Sequence, residues 1–209
     1  MKVQISNPIA LYAAALHISR EETQYYINGV FVEQAEKGAY YTATDGHRLL
    51  VAYDKDAVLE DIPDDGIILP IETKFMNDMV KPNTHYVVWE DDVMSCYGVD
   101  DMMLSSIRSK PIDGTFPDWR RIFPKKITNQ NGYGYNPTYL ALYEKIAKVL
   151  KKHGIVDNIS IRISPNGEKP SIIQIANCQW MRAILMPMRW SEEESVFPTW
   201  LDDTLGNLS

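Results

Sequence analysis

The residues best equipped for chemistry are few and scattered. Asp45 and His47 stand close together in TATDGHRL, but no other ligand falls in phase to complete a metal site with them, and His17, His85 and His153 lie elsewhere along the chain. No phosphate-cradling glycine loop and no nucleophile motif is present. Cys96 and Cys178 sit in apolar, strand-like runs without CxxC spacing, which predicts buried, reduced thiols rather than a disulfide or zinc site. Catalysis, a cofactor and a structural metal are therefore not expected. Binding chemistry is better represented. The run KPIDGTFPDWRRIFP, 110–124, joins a turn signal, stiff prolines, a tryptophan and paired arginines, and by itself reads as an exposed connector between domains. The closing MPMR offers flexible methionines beside proline and arginine, a set that suits an adaptable peptide-binding floor, although Met186 and Met188 at strand spacing equally suit a plain core. Lys145, Lys148 and Lys152 form a basic helical stripe, which serves either as a solvated face or as a set of phosphate contacts.

These residues need elements to position them. With 209 residues, 45% of them hydrophobic, the chain can bury substantial cores. No run reaches the length of a membrane span and Met1–Ile5 lacks a signal-peptide core, so the expectation is a cytoplasmic protein with no membrane association. A net charge of -7 argues against a broad basic DNA-gripping face but leaves room for a local lysine lining.

Asn7-Pro8 is an N-cap followed by a first-turn proline and predicts a helix, and YYINGVFVE and GAYYTATDGHRLLVAYD then read as strands. Leu69-Pro70 predicts a second helix, with Ile71, Phe75, Met76 and Met79 on one face, followed by the strands HYVVWEDD, VMSCYGV and MMLSSIR. Asn136-Pro137 opens a third, ending at Gly154, with NISIRIS, PSIIQIAN and WMRAILMPMR behind it and a turn at Pro165-Asn166-Gly167. The fold class is α+β, with three units per chain, each one helix on antiparallel strands. One such unit buries too little apolar surface alone, so units should join sheet edge to sheet edge and helix beside helix.

Four stretches, YYINGVFVE, TATDGHRL, DGTFPDWRRIFP and MPMR, resemble the bacterial DNA polymerase III beta subunit, the sliding clamp, in that family's order. The resemblance implies the DNA clamp, or processivity, fold. It divides the chain into a complete clamp-like domain at 1–124, a linker at 125–135, half a domain at 136–190 and an acidic tail at 191–209. It implies a non-enzymatic DNA replication processivity factor, without cofactor, that holds double-stranded DNA without sequence preference and tethers DNA polymerase or clamp loader peptides. The matching groove positions are Ile27, Thr44, Gly46, His47, Arg48 and Leu49, then Pro117, Arg121 and Ile122, then Ile184, Met186, Pro187, Met188 and Arg189. The DNA-facing candidates are Arg20, Lys74, Lys81, Lys145, Lys148, Lys151 and Lys152. Because one and a half family domains are missing, a homo-oligomer is expected, and four chains of three units would supply the twelve units of a family ring. The alternative is a non-ring adaptor or decoy that binds clamp-dependent proteins and competes with the full-length clamp. The tail, with Phe197, Trp200 and Leu201 among acidic residues, reads as a solvated segment or as a peptide for such a groove.

Overall fold

The computed structural model describes residues 1–122, 133–157 and 160–188. Those residues form two antiparallel sheets and three α-helices.

The first unit is β1 (Lys2–Ile5), α1 (Pro8–Ala15), β2 (Val30–Gln34), β3 (Ala39–Thr44), β4 (Arg48–Asp54) and β5 (Val58–Glu60). The second is β6 (Ile67–Leu69), α2 (Thr73–Met79), β7 (Tyr86–Glu90), β8 (Val93–Tyr97) and β9 (Met103–Arg108). The third is α3 (Pro137–Lys152), β10 (Ile161–Asn166), β11 (Lys169–Ile175) and β12 (Met181–Leu185).

The first two units exchange strands. β1 pairs with β7 of the second unit, and β6 pairs with β2 of the first. Neither unit can be removed without opening the other's sheet. The third unit joins differently: β12 pairs with β4 from Met181 opposite Ala52 to Leu185 opposite Arg48. This produces a seven-stranded sheet in the order β10-β11-β12-β4-β3-β2-β6. The other sheet runs β5-β1-β7-β8-β9.

Helix α1 lies at the centre. Pro8 and Asn7 behave as their types require: the proline occupies the first turn and the Asn7 side chain accepts from the Ala10 amide at 3.1 Å. All eight residues of α1 are buried, because it packs on β3 and β4 while α2 and α3 lie beside it. Four alanines in that helix allow the close approach. Helix α3 follows the same rule, Asn136 capping Thr138 at 2.9 Å, and buries Tyr143, Ile146, Ala147 and Leu150. Gly154, with φ at +68°, ends it in a conformation that costs glycine little.

Three expectations are corrected in detail. Pro70 does not open α2: it follows directly on β6, its carbonyl accepts the Ser109 hydroxyl at 2.9 Å, and the helix begins at Thr73, leaving Ile71 ahead of it. Glu22–Ile27 forms a 3-10 segment where YYINGVFVE predicts continuous strand. Asn166 belongs to β10 instead of the turn after it.

Cys96 and Cys178 are free and buried, as expected, and burial raises both thiols, to about 11 and about 12. No helix among the described residues is long and apolar enough to cross a membrane.

Candidate peptide groove and helix surface

A mainly apolar cavity of about 160 Å³ lies where the first and third units meet. Its lining draws on four separate segments: Gln24, Tyr26 and Ile27, then Thr44, Gly46, His47, Arg48 and Leu49, then Pro117 and Ile122, and finally Ile184 and Met186. The β4–β12 pairing is what unites them. Ile184 stands opposite Leu49, and the Met186 amide donates to the His47 carbonyl at 3.1 Å, carrying the ladder past the end of β12.

The Asp45-Gly46 turn is held by its own side chains. One Asp45 carboxylate oxygen accepts the His47 and Arg48 amides, each at 3.1 Å, and the other pairs with the Arg48 Nε at 2.9 Å. Thr44 Oγ1 donates to the Arg48 carbonyl at 2.8 Å and accepts the Gly46 amide at 3.1 Å. Gly46 has φ at +84° and open space where a Cβ would stand, so the turn demands glycine for its backbone alone. Asp45 thus positions the groove wall.

Tyr139 of α3 clamps this turn. His47 stacks on its ring at 6.0 Å and the Arg48 guanidinium lies 4.9 Å from its centroid. Tyr139 and Gln24 lie in no motif stretch, and with Tyr26 they reach the site only through the docking of α3 and the 3-10 segment. For Tyr26 a weak signal existed in its place beside Ile27.

The connector is laid on the sheet. Phe116 stacks on Phe31 at 4.9 Å, and Trp119 Nε1 and an Arg120 NH group donate to the two oxygens of Glu33 at 2.7 and 3.1 Å. These contacts fix Pro117 and Ile122 at the cavity. Arg121 points away, 86% exposed and paired with Asp118. Pro187 and Met188 do not line the cavity, and Met188 bridges to Gly134 instead. Arg189 and the tail, 191–209, lie outside the described residues. So does most of the 125–135 linker.

The basic candidates divide. Arg20 and Lys145 line one polar cleft of about 630 Å³ that also holds Glu21, Asp45 and Tyr139. Arg20 donates to Thr73 Oγ1 at 3.3 Å, which ties the exit of α1 to the start of α2. Lys74, Lys151 and Lys152 are exposed, the last two in the final turn of α3 where the helix dipole favours cations. Lys81 is paired with Asp78 at 2.6 Å and Lys148 with Glu144 at 2.7 Å, bonds that hold both carboxyl groups below their ordinary range.

His17, at the exit of α1, is fully buried. Its Nδ1 lies 3.0 Å from the Ala13 carbonyl and its ring 5.6 Å from Tyr143 of α3. Burial, reinforced by the Arg48 charge, lowers its pKa to about 3 from 6.5. Between those values the unfolded chain binds a proton that the folded chain refuses, so the stabilisation is whole above 6.5 and is lost as pH falls toward 3. Wild type should lose stability relative to His17→Gln by about 2–3 kcal/mol between pH 6.5 and 4.5, read from urea melts at each pH. Parallel pH profiles for the two proteins would show that His17 is not buried neutral.

No family model matches the chain. The beta sliding clamp of Caulobacter vibrioides is 32% identical over 116 residues, covering 52% of this chain and 30% of that protein. Those of Rickettsia bellii and Escherichia coli are each 29% identical, over 120 and 117 residues, and again 30% of each relative is covered. The chain thus spans about 30% of the length of the curated relatives it matches. Among solved structures, the DNA polymerase sliding clamp of Bacillus subtilis superposes with a TM-score of 0.62 at 15% identity, over 91% of this chain and 65% of that one. The DNA polymerase III beta subunit of Thermotoga maritima also gives 0.62, at 14% identity, over 91% and 66%. The fold is that of the DNA clamps, and the sequence is similar to part of a beta sliding clamp.

Proposed function

We propose that the chain is a reduced sliding clamp, a non-enzymatic DNA replication processivity factor that embraces duplex DNA and tethers a polymerase or clamp loader through an apolar peptide. In this reading residues 1–124 are a complete clamp-like domain and 136–190 half of one, joined by the 125–135 linker. The observation that carries the proposal is the groove: segments distant in sequence converge on one cavity at the β4–β12 seam, and most of the positions that match the family's peptide site line it.

The division of labour within the groove follows from its chemistry. Leu49 and Ile184 give a fixed apolar floor, being buried against Val51 on the same sheet face. Met186, 40% exposed, is the flexible lip that can adapt to a side chain. The Asp45–Arg48 turn, whose four amides are all satisfied within the chain, holds the groove wall rigid. On the helix surface, Arg20, Lys74, Lys145, Lys151 and Lys152 are the cations that would contact phosphates, with no base readout.

Met186→Ala together with Met188→Ala should weaken binding of a fluorescein-labelled peptide from a clamp-binding polymerase by about tenfold, read by anisotropy, with thermal stability little changed. Met186 supplies the contact area and Met188 flanks it on the same strand exit. Undiminished peptide binding would place the site elsewhere. The adaptor reading shares this groove and differs in predicting no DNA binding at all. It draws support from the ion-paired state of Lys81 and Lys148, which leaves fewer free cations for phosphates.

A further inference from the structure

The repeat contains a template for a contact that the chain does not make with itself. Strands β4, β9 and β12 occupy equivalent places, each being the last of three antiparallel strands behind a helix. Two of them, β4 and β12, pair antiparallel with each other, with α1 beside α3. The remaining one, β9, has β8 on one side and an open edge on the other among the described residues.

That edge is built to be covered. The Ser109 amide donates to the Asp92 carbonyl at 2.7 Å, continuing the β8–β9 ladder, so residues 105, 107 and 109 turn their backbone groups to β8. Ser106 and Arg108 therefore turn theirs to the open edge. Protected edges carry charged side chains, proline or inward-pointing charges, and β9, MLSSIR, has only Arg108 at its end, with no proline and no inward charge. Its irregularity is confined to its start, near Met103. Apolar surface accompanies the free backbone: Met102 and Met103 are about 60% exposed, and Leu104 and Ile107 are only partly covered.

We propose that the occupant is a second copy of this chain, its β9 running antiparallel to the first across a two-fold axis near Ser106. Charge selects the self-pairing. The strand is preceded by Asp100 and ends at Arg108, with Lys110 beyond, while Asp101 is turned the other way, accepting the Tyr86 hydroxyl of β7 at 2.7 Å. An antiparallel copy sets the acidic end of each strand beside the basic end of the other, and does so twice. The Asp91–Asp92 turn lies on the β8 side, away from the edge. The pairing repeats the β4–β12 geometry and brings α2 of one copy toward α2 of the other, as α1 meets α3 within the chain. This interface deepens the ring reading and is independent of the groove.

Light scattering on the full chain should give a mass that is an even multiple of 23.9 kDa. Ser106→Pro, which removes only an outward-facing amide, and Arg108→Glu, which sets acid against acid, should each halve that mass. Both should leave the circular-dichroism spectrum and the affinity for the polymerase peptide unchanged, and should lower the thermal midpoint only by the stabilisation that association supplies. Ser106→Cys should form a disulfide-linked dimer under mild oxidation, since the native cysteines are buried. A monomeric wild type at high concentration overturns the interface, and so does an unchanged mass in both variants together with no cross-link. Either result leaves the groove to stand or fall on peptide binding alone.

Discussion

Asp54→Ala loses about 3–5 kcal/mol of folding stability, seen as a fall in the urea midpoint. The Asp54 carboxylate is 3% exposed at the end of β4. One of its oxygens accepts the Ser6 amide at 2.9 Å, the Asn7 amide at 2.8 Å and the Tyr41 hydroxyl at 2.9 Å. The other accepts the Asp56 amide at 3.3 Å. A single side chain thus satisfies backbone donors at the entry to α1 and a buried phenol on β3, and it places its negative charge at the positive end of the central helix. Alanine leaves the buried Tyr41 hydroxyl and the half-buried Ser6 and Asn7 amides without this partner, at about 1–3 kcal/mol for each donor that water does not reach, partly offset because a buried charge is also removed. Tyr41 registers the same bond from the other side, since burial and the Asp54 charge raise its pKa. Asp54→Asn, which keeps one acceptor oxygen and the side-chain shape, should lose less than the alanine variant. A midpoint for Asp54→Ala within experimental error of wild type would remove this carboxylate as the pin of the first unit.

Asp54 shows where sequence reading ends. As the last residue of VAYD it reads as a polar strand terminus, and its partners at Ser6, Asn7 and Tyr41 are fixed only when β4 folds back beneath the start of α1. The prolines teach the same distinction. At Pro8 and Pro137 the preceding asparagine and the following apolar spacing are local facts, and both helices start there. At Pro70 the proline follows leucine instead of a capping asparagine, Ile67–Leu69 are committed to pairing with β2, and the backbone does not turn helical until Thr73. The short strands β1, β5 and β6 are illegible for a related reason, since β1 and β6 pair with strands of the neighbouring unit and β5 is held only by β1.

The groove was legible in its walls and not in its supports. Leu49, Ile184 and Met186 stand in recognisable stretches, and the structure brings them together. Arg121, which stands in the same stretch as Ile122, faces solvent because Asp118 captures it one helical turn away. Tyr139 carried no signal, yet it fixes the turn that the groove needs. His17, an isolated histidine in the sequence, is a buried neutral ring at the α1–α3 contact.

The largest functional effect expected is topological. A chain of three units cannot enclose DNA alone, so enclosure requires several chains to close on one another. An enclosing assembly is held on circular DNA by closure, whereas phosphate contacts are screened at about 0.5 M salt, where the Debye length is only about 4–5 Å. A net charge of -7 also argues against tight binding by a broad basic face. The test assembles the protein on a nicked circular plasmid, washes the complex through a sizing column at that salt, and repeats the passage after one restriction cut. The reduced-clamp account predicts protein eluting with the circle and released by the cut. Equal loss from circle and line would contradict ring closure, and with peptide binding intact it would leave an adaptor.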